Sequence, residues 1–255
     1  MSTPASGQVD PDNLSVQLYT LRRALDVDFD GTLEQLAGIG YTQVEPYQLL
    51  HYADQLASGL TRYGLTAPTA HVGLLGGDQD AIFAAAAELG VRTVIEPHVP
   101  EARWQSEADI AEIAAELNAA AARAADHGLS VGYHNHSHEL RSIVGGRHAL
   151  DVVADLLAPE VRLEVDTYWA FAGGADVVPL LERLGRRVVA VHLKDGDGSL
   201  DPTRQVAVGS GSLPVRDYVA AAPHALGVVE LDDTVGDVLE AVRLSRDFLL
   251  APTEA

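Results

Sequence analysis

Short hydrophobic runs recur along the whole chain, and several of them are continuously apolar instead of alternating between apolar and polar residues. Continuous apolar runs of this length are typical of parallel strands that are covered on both faces. The pattern predicts eight strands, at residues 14–19, 42–46, 66–72, 91–97, 129–135, 161–166, 187–193 and 227–231.

Helical patterns fill the segments between these runs, and the clearest one covers residues 107–127. Its apolar positions at i, i+3, i+7 and i+11 share one face of a helix; they are Ile110, Ile113, Leu117 and Ala121. Gly128 follows in the C′ position that glycine favours at a helix end. Eight strand-plus-helix units predict an α/β fold, a (β/α)8 TIM barrel, rather than an open doubly wound sheet.

The 255 residues are expected to form a single TIM-barrel domain, with flexible tails at about 1–12 and 252–255. No apolar run approaches the roughly 18–20 residues of a membrane span, and the first residues lack the basic and apolar regions of a signal peptide. We therefore expect a cytoplasmic protein with no membrane partner. The formal net charge of −20 argues against nucleic-acid binding, although solubility alone is a sufficient reason for an acidic surface.

Polar residues with metal-ligating side chains stand at the ends of four successive predicted strands: His134, Asp166, His192 and Glu230. In a TIM barrel the catalytic groups lie at the C-terminal ends of the strands, so these four are predicted to hold a divalent cation. Each one alone is equally compatible with an ordinary strand-end residue hydrogen-bonded to a loop. The chain has no cysteine, so a metal here must be bound by His, Asp and Glu; we expect Mn²⁺, with Co²⁺, Mg²⁺, Fe²⁺ or Zn²⁺ as alternatives.

Two carboxylates and two imidazoles leave coordination positions open on a divalent cation, which can then polarise a substrate carbonyl. Proton transfer at the neighbouring carbon requires an acid–base group, and the predicted carriers are Glu230, Glu139 and Lys194. Candidates for substrate binding are Glu45, His71, His136, Trp169 and Arg204, and candidates for packing against a sugar ring also include Tyr19 and Tyr47. No glycine-rich fingerprint for a dinucleotide is present.

The chain resembles the xylose isomerase-like barrels, which include sugar isomerases, tagatose and psicose 3-epimerases, inosose dehydratases, dehydroshikimate dehydratases and endonuclease IV. The resemblance spans nearly the whole chain. It rests on Val16-Gln-Leu-Tyr-Thr, Gly40-Tyr-Thr-Gln-Val-Glu45, His71, Gly132-Tyr-His-Asn-His136, Asp166-Thr-Tyr-Trp169 and His192-Leu-Lys-Asp195.

The resemblance implies four metal ligands: a Glu on strand five, then Asp166, His192 and Glu230. At strand five this chain has His134 instead, with His136 as the rival ligand, which weighs against a mechanism that uses two opposed carboxylates. Trp169 stands where the epimerases and endonuclease IV have a His. The loop after strand seven also lacks the Asp and His that complete a three-metal site in the endonuclease, so DNA repair is not expected.

These observations predict a metal-dependent isomerase or epimerase of a small sugar or keto-polyol. One alternative is a lyase of the inosose, dehydroshikimate or keto-glycoside type, because elimination begins with the same proton abstraction. Another is a non-catalytic sugar-binding barrel or a subunit that needs a partner chain. A homodimer is compatible with all three.

Overall fold

The structure is a computed structural model that describes residues 7–252. Eight parallel strands form its central sheet, in the order β2-β1-β8-β7-β6-β5-β4-β3. They are β1 (Leu14–Gln17), β2 (Gln43–Glu45), β3 (Thr69–His71), β4 (Thr93–Glu96), β5 (Ser130–His134), β6 (Arg162–Asp166), β7 (Val188–Leu193) and β8 (Leu226–Val229). Seven of these strands lie within their predicted runs, and β8 begins one residue before its run.

The two ends of this sheet, β2 and β3, meet through isolated parallel pairs between Gln43 and Thr66 and between Tyr47 and His71. The sheet is therefore a nearly closed barrel, and the prediction of a (β/α)8 barrel is confirmed.

Helices cover the outside of the barrel. They are α1 (Arg22–Val27), α2 (Phe29–Ile39), α3 (Ala53–Tyr63), α4 (Gln79–Glu88), α5 (Glu107–Ala125), α6 (His138–Arg141), α7 (Ala149–Leu156), α8 (Thr167–Ala172), α9 (Val177–Leu184), α10 (Val215–Ala221) and α11 (Val238–Leu250). A small antiparallel hairpin, Ile143–Val144 with Arg147–His148, was not predicted and lies between α6 and α7. Within the described residues, no helix is long and apolar enough to cross a membrane.

The end of α5 shows how glycine fixes a boundary. The Leu129 N–H donates to the Ala124 carbonyl and the Gly128 N–H to the Ala125 carbonyl, each at 3.0 Å. Gly128 has a φ of 72°, in the left-handed region. This is the Schellman arrangement, with Gly128 at C′ as predicted.

The segment before β1 is attached to the last helix. The Gln8 side chain donates to the Leu250 carbonyl at 2.7 Å, and the Val9 N–H donates to the Leu249 carbonyl at 3.1 Å. Val9 is buried. Gln8 and Val9 of the predicted N-terminal tail therefore pack against α11, whereas residues 10–12 are exposed. Residues 1–6 and 253–255 of the two predicted tails lie outside the described residues.

The inward faces of β7 and β8 change from apolar to polar along each strand. Ala190, Leu226 and Val228 form a small apolar cluster of their own, separate from the large core. Because residues two apart share a face of a strand, His192 and Lys194 continue the face of Ala190, and Glu230 continues that of Val228. The barrel interior thus presents charged side chains only towards the C-terminal ends of these strands.

Candidate metal centre and cavity

Ligand-type side chains from four neighbouring strands converge in the barrel mouth. His134, Asp166, His192 and Glu230 each offer one nitrogen or carboxylate oxygen, and these atoms all lie within 4.8 Å of one another. All four residues are buried. The structure therefore brings together the four side chains that the sequence marked as metal ligands, and we call them the rim set.

Asp166 has its two carboxylate oxygens in different environments. Oδ1 accepts the Trp169 N–H at 2.8 Å and so caps the start of α8. Oδ2 is buried and accepts no well-directed hydrogen bond from the described residues, although Lys194 Nζ lies 2.8 Å away. Burial raises the pKa of Asp166 to about 6, and Lys194 opposes the shift. A buried oxygen left in this state is suited to a cation.

The two imidazoles of the rim set differ in charge. Burial lowers the pKa of His134 to about 3, so its ring is neutral at pH 7, as a metal ligand must be. Burial alone would also lower the pKa of His192, but Glu164 and Glu230 raise it well above its ordinary value. His192 Nδ1 lies 2.6 Å from Glu230 Oε2. A cation at this point would replace the proton on that nitrogen.

Lys194 is 1 % exposed and supplies the positive charge next to the rim set. Its Nζ lies 2.8 Å from Asp166 Oδ2, 2.7 Å from Glu230 Oε2 and 2.6 Å from Asp232 Oδ2. Burial opposes the charged form, yet these carboxylates hold the pKa of Lys194 well above its ordinary value. Burial alone would raise the pKa of Glu230, but the positive charges of Lys194 and His192 hold it well below its ordinary value.

A second polar group, which we call the deeper layer, lies further inside the barrel; it consists of His71, His134, Glu164 and His192. The sequence analysis missed its central residue, Glu164. Glu164 is buried, and its Oε2 contacts His71, His134 and His192. Glu45 borders the same layer, where its Oε1 lies 2.8 Å from His192 Nε2 and accepts from the Gln17 amide at 2.7 Å. A signal for Glu164 existed, since it stands two residues before Asp166 and so shares its face of β6.

A cavity of about 370 Å³ opens above the rim set. This is near the lower end of the ~300–1,000 Å³ range of small-molecule sites. Tyr19 and Tyr47 form one wall, in edge-to-face contact with ring centroids 5.5 Å apart. Six imidazoles and carboxylates also line the cavity: His71, His98, His134, His136, Glu230 and Asp232. Gln48, Val72, Gly73 and Pro97 complete the lining.

Comparison with known proteins agrees with this architecture. The family model described as xylose isomerase-like TIM barrel matches residues 33–227, which is more than half of the chain. The chain belongs to this family. No match was found among curated proteins.

Three solved structures show how widely the barrel of this family is shared. A sugar phosphate isomerase/epimerase from Parabacteroides distasonis is 23% identical, with a TM-score of 0.79 and coverage of 98% of this chain and 96% of that one. A probable 3-DHS dehydratase, AsbF, from Bacillus anthracis is 13% identical, with a TM-score of 0.72 and coverage of 93% and 98%. The IOLI protein with a binding zinc atom is 15% identical, with a TM-score of 0.69 and coverage of 93% and 98%. At these identities the likeness shows the fold.

Not every predicted substrate contact lies at the cavity of this xylose isomerase-like barrel. His71 and His136 line it, as do Tyr19 and Tyr47. Glu45 borders the deeper layer, and Trp169 is buried beside Lys194, whose Nζ is 5.6 Å from the ring centroid. Arg204 is exposed and pairs with Asp197 at 3.7 Å. Glu45, Trp169 and Arg204 thus do not line the cavity, and direct substrate contact by these three residues stays a prediction.

Glu139, a predicted proton carrier, also lies away from the cavity. Its Oε1 accepts the Tyr133 hydroxyl at 2.6 Å, and its Oε2 accepts the His136 N–H at 2.8 Å. Both oxygens thus hold the turn between β5 and α6, and a role of Glu139 in proton transfer stays a prediction.

We expect Glu139 to make the stability of the protein depend on pH. Burial raises the pKa of Glu139 to about 7 from an ordinary value of 4.5. Between these values the folded chain retains a proton that the unfolded chain has lost, so the free energy of unfolding falls as pH rises, by roughly 3 kcal/mol in total. Glu139→Gln lacks this titration. Urea unfolding across the window should show the variant gaining on the wild type as pH rises; a constant difference would contradict the shift.

Proposed function

We propose that this protein is a divalent-metal-dependent isomerase or epimerase of a small sugar or keto-polyol, working by proton transfer next to a carbonyl. The observation that carries the proposal is the convergence of His134, Asp166, His192 and Glu230 at the base of a cavity of about 370 Å³. Two imidazoles and two carboxylates form a donor set that fits Mn²⁺, Fe²⁺, Co²⁺ or Zn²⁺, and Mn²⁺ is our first choice.

The rim set would hold the metal, and the metal when bound would polarise the substrate carbonyl as a Lewis acid. Lys194 stays protonated beside it, because three carboxylates surround its ammonium group. Its positive charge lies in a buried site, where it favours the negative charge that develops on a substrate oxygen.

Acid–base groups stand on opposite sides of the cavity. Glu230 and Asp232 follow β8, whereas His98 and His136 follow β4 and β5, on the far arc of the barrel. The rings of His98 and His136 have centroids 5.2 Å apart. A substrate between the two groups can lose a proton on one side and regain it on the other. This supports an isomerase or epimerase in which imidazoles replace one of two carboxylates.

The cavity favours an uncharged substrate. Among its described lining residues there is no Lys or Arg to pair with a phosphate, while Glu230 and Asp232 contribute negative charge. The tyrosine wall offers an apolar surface for one face of a sugar ring. We therefore expect unphosphorylated keto-sugars to bind better than their phosphates.

The test is solvent exchange. Protein loaded with Mn²⁺ is incubated in D₂O with a panel of unphosphorylated keto-sugars and keto-polyols, and the products are followed by proton NMR and mass spectrometry. We expect a product isomeric with the substrate, carrying deuterium at the carbon next to the carbonyl. His136→Gln should slow this exchange at least ~100-fold, which is the usual contribution of an acid–base group.

Loss of water or of a glycoside would instead assign the protein to the lyases. Binding of a sugar without exchange at any carbon, in protein that retains its metal, would contradict catalysis and favour a binding protein.

A further inference from the structure

We infer that Glu164 is a positioning residue that decides which nitrogen of each rim imidazole faces the metal. The inference rests on the metal site of the proposed function and extends it to a side chain that is not in the rim set. It makes a specific statement: His134 binds through Nε2 and His192 binds through Nδ1.

A single carboxylate oxygen of Glu164 contacts three imidazoles. Glu164 Oε2 lies 3.0 Å from His134 Nδ1, 3.1 Å from His192 Nε2 and 2.5 Å from His71 Nε2. An ionised carboxylate only accepts hydrogen bonds, so each of these nitrogens carries a hydrogen when the contact is a hydrogen bond. The proton positions of three rings are thereby coupled to one buried group.

For His134 the consequence is direct. With Nδ1–H donating to Glu164, the lone pair of Nε2 is left on the opposite side of the ring. That nitrogen lies 3.7 Å from Asp166 Oδ2, towards the rim set. The tautomer that binds metal through Nε2 is therefore the one that Glu164 selects.

His192 is held in the reverse orientation. Its Nε2 is directed to the deeper layer, 2.8 Å from Glu45 Oε1 and 3.1 Å from Glu164 Oε2. Its Nδ1 faces Glu230 in the rim set at 2.6 Å. The hydrogen-bond acceptor of His192 Nε2 is Glu45 Oε1, and Glu164 Oε2 favours the same tautomer from 3.1 Å.

A cation in the deeper layer is the alternative, because His71, His134, Glu164 and His192 also offer atoms within 4.8 Å of one another. There the metal would use the other nitrogen of each shared ring. Hydrogen-bond distances occur in both groups: 2.5 to 3.1 Å between Glu164 Oε2 and the three nitrogens of the deeper layer, and 2.6 Å between His192 Nδ1 and Glu230 Oε2 in the rim set. Metal–ligand bonds of about 2.0–2.2 Å would separate tetrahedral ligand atoms by about 3.3 Å or more in either site.

Access to the cavity separates the carboxylates of the two groups but not their imidazoles. Two members of each group line the cavity: His134 and Glu230 of the rim set, and His71 and His134 of the deeper layer. Glu164 is buried and does not line it. The nitrogen that each shared ring offers to a metal is therefore what distinguishes the two sites.

The decisive experiment reads the ligating nitrogens directly. Full-length protein with ¹⁵N-labelled histidine is loaded with Zn²⁺, which is diamagnetic, and long-range ¹H–¹⁵N correlation spectra are recorded before and after loading. The ten histidines are assigned by single His→Gln replacements. We expect Zn²⁺ on Nε2 of His134 and on Nδ1 of His192, with hydrogens on His134 Nδ1 and His192 Nε2.

A matched pair of variants separates positioning from general stability. Glu164→Gln replaces one acceptor oxygen by an amino group and should weaken Zn²⁺ binding by about 10–100-fold in chelator competition. Glu96→Gln makes the same change at a buried carboxylate that instead accepts the Leu74 and Leu75 N–H groups, so its Zn²⁺ affinity should stay at the wild-type value. Equal Zn²⁺ affinities in the two variants would overturn the inference.

The outcomes distinguish this inference from the proposed function. Zn²⁺ on His134 Nδ1 and His192 Nε2 would place the metal in the deeper layer and overturn the role of Glu164, while leaving metal-dependent catalysis open to the exchange assay. No Zn²⁺-dependent change at either ring would overturn both proposals. The expected nitrogens in a protein without solvent exchange would support the positioning role and contradict only the proposed function.

Discussion

Replacing Lys194 with methionine is expected to lower the free energy of unfolding of the metal-free protein by about 3–5 kcal/mol. The ammonium group is buried and lies within 2.8 Å of carboxylate oxygens of Asp166, Glu230 and Asp232. Methionine fills a similar volume but carries no charge. Removal of the ammonium therefore leaves buried like charges without compensation, which costs much more than the loss of an exposed ion pair.

A divalent cation should restore much of this stability. Since the cation would supply positive charge to Asp166 and Glu230, Mn²⁺ should stabilise Lys194→Met more than it stabilises the wild type. Urea unfolding with and without Mn²⁺ measures both effects. Arg243→Met is the matched control, because Arg243 also pairs with two carboxylates, Glu240 and Asp247, but on the surface. Similar unfolding curves for the Lys194 and Arg243 variants would contradict the buried charge cluster.

The second large effect is expected at Glu230. Glu230→Gln keeps the size of the side chain but replaces a charged metal ligand, so Mn²⁺ and Zn²⁺ affinity should fall at least ~100-fold, beyond the 10–100-fold typical of losing an outer partner. Asp232→Asn provides the comparison. Both carboxylates contact Lys194 Nζ, at 2.7 and 2.6 Å, but only Glu230 belongs to the rim set.

Calorimetric titration of the two variants with each metal makes this comparison. We expect less than a ~10-fold loss of affinity in Asp232→Asn, because this side chain acts only through Lys194. Equal losses in the two variants would mean that net charge, and not a defined ligand set, governs metal binding.

Much of this fold could be predicted from the sequence because parallel strands covered on both faces leave a clear mark. The runs at 14–19 and 187–193, for example, contain Leu14–Gln17 and Val188–Leu193 as observed strands. Within a strand, side chains alternate strictly, so residues at the ends of neighbouring parallel strands can be placed on one face of the barrel. This reasoning brought His134, Asp166, His192 and Glu230 together correctly.

Alternation does not place side chains beyond the strand ends. Glu139 lies in α6, after the turn that follows β5, and its direction depends on contacts with Tyr133 and His136. Arg204 ends a short 3-10 turn, Pro202–Arg204, in the segment between β7 and α10, where no periodicity relates it to the cavity. Spacing from a strand end does not predict side-chain direction in such segments.

Glu164 was missed for a different reason. Its spacing to Asp166 places it on the same face of β6, but alternation alone does not identify its partners. Its role depends on distances across the barrel to His71, 93 residues away in sequence, and to His134 and His192 on the neighbouring strands. Such distances are set by closure of the barrel, which no local pattern encodes.

The metal content of the protein tests the central claim most directly. Wild-type protein is incubated with Mn²⁺, Co²⁺ or Zn²⁺, desalted and analysed by elemental mass spectrometry beside Asp166→Asn and His192→Gln, each of which removes one ligand of the rim set. We predict about one equivalent of metal per wild-type chain and almost none in either variant. Equal metal in all three proteins, or none in the wild type with any of these ions, would contradict the metal centre and the function built on it.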